Sequence, residues 1–179
     1  IGDVSEAVLT IPADFTYNAR IEMLAAAKQT GLNVNKLLEE PTAAAIYYAF
    51  EGGLKLNGNY AIYDLGGSTF DVSIIKAEGI RINMVASEGV QKLGGEDFDV
   101  ILQKLVTEKF NDENDEVIDE QDYTITDAEE DKKSLTKREN INVRIHRKNV
   151  KVTRAEFEEK ISSLVMQTEM VCESILAEQ

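Results

Sequence analysis

The sequence predicts an α/β protein, and three observations support this class. Residues 7–50 alternate two β-favouring runs with two segments of helical periodicity. Residues 60–87 contain three strand-like runs separated by two glycine-containing turns. Residues 97–179 contain helical segments with apolar faces and one predicted hairpin. We therefore expect strands and helices in alternation, followed by a small helical and hairpin region.

Composition limits the kinds of partner. The chain has 179 residues, of which 43% are hydrophobic, so it is long enough and apolar enough to bury a core. A net charge of −14 excludes nucleic acid as a main partner, because phosphate backbones bind clustered Lys and Arg. We find no apolar run of membrane-spanning length and no signal-peptide pattern, so we expect no membrane partner.

Cysteine usage and the two ends of the chain give two further expectations. Cys172 is the single cysteine, so no internal disulfide forms, which fits a reducing, cytoplasmic location. The sequence begins without Met and ends within an amphipathic helical pattern. We therefore expect it to be a piece of a longer protein.

The first half of the chain reads strand, helix, strand, helix. A strand at 7–11 stops at Pro12, a helix covers 18–30, a second strand covers 32–38, and Pro41 opens a helix at 42–50. The first helix has four residues at helical spacing, namely Ile21, Leu24, Ala25 and Lys28.

Glu39 and Glu40 follow the second strand immediately ahead of a helix. Catalytic groups in α/β folds are commonly found at this position. The alternative is a helix-start glutamate that the helix dipole stabilises. The residues alone leave both interpretations open.

The stretch around Gly66 and Gly67 carries the strongest chemical signal. A strand at 60–64 ends in Asp64, and two adjacent glycines then allow positive φ and a close approach of the backbone to a ligand. Backbone N–H groups in such a turn suit phosphate oxygens. Asp64 and Asp71 would repel phosphate unless Mg²⁺ lay between them, bound through water. The alternative is an ordinary Gly-Gly hairpin.

The three predicted strands at 60–64, 69–76 and 80–87 form a meander. Gly94 and Gly95 then precede a helix at 97–110. Glycines at that position either let an anion approach the helix N-terminus or provide a flexible helix entry. The predicted apolar face of this helix contains Phe98, Ile101, Leu102, Leu105 and Val106.

Charge is strongly patterned in the second half of the chain. Residues 112–131 contain eleven acidic and no basic residues, whereas 132–154 contain nine of the nineteen Lys and Arg. The acidic stretch lacks the mid-loop glycine of an EF-hand, so we interpret it as a solvated, mobile segment. The opposite charges either pair within the chain or are solvated, or the basic stretch forms a docking face. His146 is predicted on an exposed turn.

A hairpin at 141–145 and 149–152 leads to Thr153 and Glu156, which form the capping box of a last helix. Cys172 lies on its apolar stripe as a small core residue. We expect this stripe to be a continuous core face, and it consists of Phe157, Ile161, Leu164, Val165, Thr168, Cys172, Ile175 and Leu176.

Five blocks in order resemble one family. Residues 64–73 (DLGGSTFDVS) closely resemble the second phosphate loop of the seventy-kilodalton, DnaK-like heat-shock chaperones, a branch of the actin, hexokinase and chaperone ATPase superfamily. The other four blocks are AVLTIP at 7–12, EPTAAA at 40–45, LGGEDFD at 93–99 and VTRAEFE at 152–158. Only 111–130 departs freely from the family.

The resemblance implies part of an actin-like (ribonuclease H-like) ATPase fold, with a mixed sheet, helices and a small α+β subdomain. On that basis, 1–53 belong to a first lobe, and 54–93 form the core sheet and phosphate hairpin of a second lobe. Residues 94–163 would form the small subdomain over a nucleotide cleft, and 164–179 a helix returning to the second lobe.

The resemblance also implies roles for particular residues. Asp64 and Glu40 would orient Mg²⁺ and its waters, Asp71 would support the metal site, and Thr69 would contact the γ-phosphate of ATP. The remaining implied nucleotide contacts are the backbone at Gly66, Gly67 and Ser68, the phosphate approach of Gly95, and an adenosine-binding helix carrying Glu129, Lys132, Lys133 and Thr136.

Two positions depart from the family pattern. Ser68 stands where the family has a third glycine, so serine is strained by about 1–2 kcal/mol if φ is positive there, or its hydroxyl binds a phosphate. Lys133 stands where the family has an arginine that stacks on adenine. Lysine has no planar guanidinium, so we expect a weaker grip on the base.

The function implied is that of an ATP-driven chaperone that binds and releases unfolded polypeptides through a separate domain, with a J-domain co-chaperone and a nucleotide exchange factor as partners. The family's first phosphate loop, catalytic lysine and C-terminal adenosine motif do not occur in these 179 residues. We therefore expect the isolated chain to lack ATPase activity. The alternatives are a non-hydrolysing regulatory or filament-forming relative and a small-molecule kinase of the same superfamily.

Overall fold

A computed structural model describes residues 6–79 and 81–178. The described chain is mixed α/β, which confirms the predicted class. Its elements are β1 (Glu6–Ile11), α1 (Tyr17–Gln29), β2 (Asn33–Glu39), α2 (Glu40–Glu51), β3 (Asn57–Leu65), β4 (Thr69–Glu78), β5 (Arg81–Gln91), α3 (Gly95–Asn114), α4 (Ile125–Leu135), β6 (Asn140–Ile145), β7 (Lys148–Thr153) and α5 (Arg154–Ala177).

The chain divides into two compact units. Among the described residues, unit 1 comprises 6–64, 71–79, 81–89 and 174–178, and unit 2 comprises 65–70 and 90–173. Each unit has its own buried cluster of apolar side chains. The two units are described separately below.

In unit 1, β1 and β2 form a parallel two-stranded sheet. α1 starts at Thr16, whose hydroxyl accepts a hydrogen bond from the N–H of Ala19, and ends before Gly31 at φ +84°. The face of α1 that turns inward is centred on Ala27 rather than on the predicted positions, since Ile21 is 47% exposed. The spacing predicted the helix correctly but not its buried face.

The predicted meander is confirmed, because β3, β4 and β5 are neighbours in sequence order. The predicted first residue of the third strand, Ile80, lies outside the described residues. Side chains of α2 and of this sheet form one buried cluster of unit 1. That cluster contains Ala45, Leu56, Ile75 and Ala77, with Ala49, Tyr60, Ile62 and Ile82 packed against it.

Unit 2 has a larger core, in which α3 packs against α4 and β7. The predicted inner face of α3 is confirmed, since Leu102 and Val106 are fully buried and Phe98 and Ile101 pack beside them. The buried cluster contains Leu102, Leu105, Val106, Phe110, Ile118, Tyr123, Ala128, Leu135, Ile141, Val143, Ile145, Val150, Val152 and Phe157.

The acidic segment between α3 and α4 is anchored in the core of unit 2 by two buried residues, while its acidic side chains are exposed or half-buried, as expected of a solvated segment. Ile118 and Tyr123 are buried in the core. The hydroxyl of Tyr123 donates to the Asp131 carboxylate at 3.0 Å, and its carbonyl accepts from Gln103 at 2.8 Å. Ile118 and Tyr123 anchor the acidic segment, because their burial removes apolar surface from water.

The capping box at the start of α5 is confirmed. The Glu156 carboxylate accepts from the N–H and the hydroxyl of Thr153, each at 2.7 Å. The expectation of a continuous core face further along α5 is wrong in part, since Val165 and Leu176 are 48% and 57% exposed. Cys172 is half-buried, and burial raises the pKa of its thiol, as expected for a packing residue.

No helix among the described residues is long and apolar enough to cross a membrane.

Candidate functional site

A group of carboxylates lies where α2 begins in unit 1. β2 ends at Glu39, and α2 begins at Glu40 with proline in its first turn. Burial raises the pKa of Glu40, and the charges of Asp64, Asp71 and Asp14 raise it further. Three predicted site residues, Glu40, Asp64 and Asp71, are therefore electrostatic neighbours. We call Glu40 and the three aspartates around it, Asp14, Asp64 and Asp71, the carboxylate cluster.

Asp14 was not predicted from the sequence, although the sequence contained a signal for it. Ile11, the last residue of β1, pairs in register with Glu39, the last residue of β2. Because the two strands are parallel, the residues that follow them meet at one edge of the sheet. A carboxylate three residues beyond β1 is therefore placed near Glu40.

Glu39 and Glu40 differ in their surroundings although they are adjacent. The pKa of Glu39 is lowered by its backbone hydrogen bond and by Arg20, whose guanidinium lies 3.1 Å from the carboxylate. Glu40 occupies the first turn of α2, as the helix-dipole alternative requires. Its pKa is raised, first by burial and then by the charges of its neighbouring carboxylates. Glu39 is therefore held in an ion pair, whereas Glu40 lies among other carboxylates.

The hairpin between β3 and β4 closes through the N–H of Gly66, which donates to the carbonyl of Thr69 at 2.8 Å. Gly66, Gly67 and Ser68 all lie outside the positive-φ region. The turn therefore does not use the positive φ that its glycines allow, and the alternative of backbone strain at Ser68 is excluded. The other alternative, that the Ser68 hydroxyl binds a phosphate, stays a prediction.

Glycine is needed at this site because two backbone segments pack closely there, and not because φ is positive. The N–H groups of Gly95 and Glu96, at the start of α3, donate to the carbonyls of Gly66 and Gly67 at 2.9 and 2.8 Å. A Cβ on Gly94 would lie 2.4 Å from the Gly67 carbonyl oxygen. Gly94 is therefore required for the helix to reach the hairpin, a role that the sequence did not predict.

This packing decides which amides remain for a ligand. The N–H of Gly95, predicted to approach phosphates, is used within the chain. Within residues 6–79 and 81–178, the structure gives no acceptor for the N–H groups of Gly67 and Ser68. Two adjacent N–H groups without an acceptor can both donate hydrogen bonds to one anion, such as the oxygens of a phosphate.

A cleft of about 530 Å³ lies beside the hairpin in unit 2. The ammonium group of Lys132 donates to the carbonyl of Gly95 at 2.8 Å and lies 2.6 Å from the buried Asp99 carboxylate. The structure therefore brings together four predicted residues, Gly67, Gly95, Glu129 and Lys132. The full lining consists of Gly67, Gly95, Glu96, Asp99, Val100, Ile125, Glu129 and Lys132.

Thr136 and Lys133 lie away from this cleft. Thr136 lines a neighbouring cleft of about 290 Å³ together with Lys132 and Arg154. Lys133 lines neither cleft, and the hydrogen bonds that it donates to the carboxylates of Glu129 and Glu130 raise its pKa. The predicted adenosine helix is thus present as α4, with its predicted residues distributed over two clefts and the surface.

The residues present fit a magnesium ion held through water. Burial and then the charges of three neighbouring carboxylates raise the pKa of Glu40, and no cation lowers it. Among the described residues, no group of three or more acidic, His or Cys side chains is arranged to hold a metal directly. Mg²⁺ keeps most of its waters in such sites, so a cluster that reaches it through water suits this ion.

The fold, the five ordered blocks and these sites define one class of protein. The whole chain, residues 1–179, matches the family model described as Hsp70 protein. The chain therefore belongs to the Hsp70 family, which confirms the predicted family and the actin-like ATPase fold.

The chain is also similar to individual curated relatives. It is 38% identical to the chaperone protein HscA homolog of Histophilus somni (strain 129Pt), over 98% of this chain and 28% of that protein. It is 39% identical to the HscA homolog of Vibrio atlanticus (strain LGP32), again over 98% and 28%. It is 37% identical to chaperone protein HscA of Proteus mirabilis (strain HI4320), over 93% and 27%. The chain spans little more than a quarter of these relatives.

Proposed function

We propose that this chain is part of the ATPase domain of a molecular chaperone that couples Mg-ATP hydrolysis to the binding and release of unfolded polypeptides. Membership of the Hsp70 family supports this proposal. The observation that carries it is the carboxylate cluster, in which burial and the charges of three neighbouring carboxylates raise the pKa of Glu40 and no cation lowers it. Phosphoryl transfer requires positioning and charge neutralisation, and such a cluster is suited to both through a bound cation.

In this proposal Asp64 and Glu40 hold Mg²⁺ and its waters, and Asp71 supports them. The ion supplies neutralisation of phosphate charge when it is bound. A carboxylate whose pKa is raised is also a better base for the attacking water, because proton transfer is most efficient when the pKa approaches the working pH. Thr69 contacts the γ-phosphate through its hydroxyl.

In this proposal the hairpin binds the phosphates of the nucleotide, and the cleft binds its ribose. The backbone of the hairpin at Gly66, Gly67 and Ser68 binds phosphate oxygens, mainly through the two amides that have no acceptor in the described chain. The cleft holds three carboxylates beside one ammonium group that is already paired. Such a cleft suits ribose hydroxyls, which donate to carboxylates, better than it suits phosphate.

The proposal extends to the longer protein. Its clients are unfolded polypeptides bound by a separate domain, and its helpers are a J-domain co-chaperone and a nucleotide exchange factor, in the cytoplasm. The chain spans 28% of the curated relatives with which it aligns. We propose that these 179 residues alone do not turn over ATP, because the family's catalytic lysine and first phosphate loop do not occur in them.

The test uses single-turnover ATP hydrolysis by the longer protein that contains this chain. We expect Asp64→Asn and Glu40→Gln to slow hydrolysis by about 100-fold or more, the range for loss of a positioned acid or base. Nucleotide affinity should change much less. Glu39→Gln is the matched control, because Glu39 pairs with Arg20 instead of joining the carboxylate cluster. Equal effects of Glu39→Gln and Glu40→Gln would contradict the assignment.

A second measurement separates a chaperone from other ATPases. Hydrolysis should be stimulated by unfolded peptide together with a J-domain protein. An enzyme that ignores both would not be the proposed chaperone. The role of the Ser68 hydroxyl is tested in the same assay, where Ser68→Gly should weaken ATP binding. ATP binding that is unchanged or tighter in Ser68→Gly would show that the hydroxyl does not contribute to ATP binding.

A further inference from the structure

The turn between β6 and β7 has an unusual backbone. Ile145 and Lys148 pair in register, so His146 and Arg147 form a two-residue hairpin loop. Both have positive φ, at 47° and 69°. Hairpins of this type favour Asn-Gly, because most side chains disfavour the left-handed region. Contacts made by these side chains must therefore offset the backbone cost.

His146 makes two such contacts. Its Nδ1 lies 2.8 Å from the Glu116 carboxylate, and its Nε2 lies 2.8 Å from the Asp122 carboxylate. A neutral imidazole has one N–H, so it donates to one carboxylate only. Both contacts form hydrogen bonds only when the ring carries two protons. The geometry therefore selects the imidazolium form.

The neighbouring charges support the same arrangement. Lys148, on β7, lies 2.6 Å from the second oxygen of Glu116 and donates to the carbonyl of Asn114 at 3.1 Å. The second oxygen of Asp122 accepts from the backbone N–H of Asp119 at 3.0 Å. The other charged residues of the loop and the turn are Asp115, Asp119, Glu120 and Arg147.

We propose that protonated His146 clamps residues 115–124, the acidic loop between α3 and α4, onto the β6–β7 turn, and that the clamp opens when the ring loses a proton. Loss of that proton leaves one carboxylate facing a lone pair at hydrogen-bond distance. The loop leads directly into α4, and Tyr123 bonds to Asp131 on that helix. The clamp is thus a pH-sensitive element in unit 2.

The sign of the effect follows from the two carboxylates. The hydrogen bond to Glu116 is the main cause that raises the pKa of His146 above 6.5, and Asp122 adds to it. The clamp is complete below the ordinary histidine pKa and is lost as the pH rises through the raised value. Lys148 is the main cause that lowers the pKa of Glu116, so the clamp also fails in strong acid.

The first test is an NMR titration of the imidazole protons. The chain contains one histidine, so its resonances need no assignment among others. We expect the pKa of His146 to fall toward its ordinary value in the double variant Glu116→Gln, Asp122→Asn. An unchanged pKa in this variant would overturn the clamp.

The second test is amide hydrogen exchange across the acidic loop, corrected for the intrinsic pH dependence of exchange. Protection of the loop should fall several-fold as His146 deprotonates, while protection of α5 stays constant. His146→Asn should keep the hairpin, because Asn tolerates positive φ, and should remove the pH step. Arg147→Gly is the matched control at the same turn and should retain the step.

A loop whose protection does not follow the titration of His146 would refute the proposal. So would a pH step of undiminished size in His146→Asn. Added salt gives an independent check, because the clamp is exposed and its charges are screened. Protection should therefore fall with ionic strength at a pH where the ring is protonated.

Discussion

Two glycines near the hairpin between β3 and β4 meet different neighbours. A Cβ at Gly94 would lie 2.4 Å from a backbone oxygen, whereas a Cβ at Gly67 would meet only the end of the Glu96 side chain, at 3.7 Å. Backbone cannot move away as a side chain can. Gly94→Ala should therefore destabilise unit 2 by about 1–3 kcal/mol, the range for overpacking.

Urea denaturation of the two alanine variants checks this difference. Gly67→Ala is the control, and its stability should stay close to that of the parent chain. Gly67→Ala should nevertheless weaken nucleotide binding in the longer protein, because the added methyl group lies in the cleft. Equal destabilisation by the two substitutions would show that Gly94 is not the residue that permits the close approach.

The carboxylate cluster predicts a conflict between stability and function at Glu40. Its pKa is raised, so the folded chain binds this proton more tightly than the unfolded chain does. The charge therefore destabilises the fold as the pH rises above the ordinary glutamate value. Glu40→Gln should stabilise the chain at pH 7, by less than about 1 kcal/mol because the site is partly solvated.

The pH dependence of unfolding distinguishes this effect from a local packing change. The gain from Glu40→Gln should be present at pH 7 and should shrink as the pH falls below the ordinary glutamate pKa of 4.5, because Glu40 then becomes protonated in both states. Added Mg²⁺ should stabilise the parent chain more than the variant. Glu39→Gln should have the opposite effect at pH 7, since its carboxylate pairs with Arg20. A destabilised Glu40→Gln variant at pH 7 would contradict the cluster.

At the scale of elements, the features that the sequence predicted correctly are those formed by residues close together in the chain. The β6–β7 hairpin and the Thr153–Glu156 box depend on residues close in sequence, and both are confirmed. The docking of the acidic segment depends on Ile118 and Tyr123 reaching a core formed by distant residues. The many acidic residues around Ile118 and Tyr123 led to the prediction of a solvated segment, so their burial was not predicted.

The same distinction applies to the candidate site. Glu40 and Asp64 were predicted from their positions at strand ends and from the family blocks. Asp14 and Gly94 were missed, because their importance arises from contacts with other segments. The two histidine contacts were missed for the same reason, since Glu116 and Asp122 precede His146 by 30 and 24 residues.

The start of α5 carries a second prediction about pH. Hydrogen bonds from Lys109 and Thr153 lower the pKa of Glu156 to about 2. Its contribution to stability is present above the ordinary value of 4.5 and is lost as the pH falls toward 2. Glu156→Gln should cost about 1 kcal/mol at pH 7, the usual value of an N-cap interaction.

Thermal unfolding followed by circular dichroism at several pH values checks this prediction. The difference between the parent chain and Glu156→Gln should shrink steadily between pH 4.5 and pH 2. Glu159→Gln, on the exposed side of the same helix, is the matched control and should behave like the parent chain. A difference that is independent of pH would assign the effect to packing rather than to charge.

At the scale of the whole molecule, the two units differ in the size of their cores. Of the apolar side chains that are buried among the described residues, sixteen lie in unit 2 and nine in unit 1. Unit 1 also leaves aromatic side chains exposed on α2, with Phe50 at 81% and Tyr47 at 63%. Since burial of apolar area is the main stabilising term, unit 2 should be the more stable unit.

A matched pair of core truncations tests this difference. Leu102 and Ile75 are both fully buried, the first in unit 2 and the second in unit 1. Each substitution to alanine should cost about 2–5 kcal/mol, the range for a large-to-small change in a packed core. Because native-state hydrogen exchange reports local opening, Ile75→Ala should increase exchange in β3 and β4 while unit 2 keeps its protection. Leu102→Ala should increase exchange throughout α3 and α4. Uniform loss of protection in both variants would show instead that the chain opens as one cooperative body, and unit 2 would then have no stability of its own.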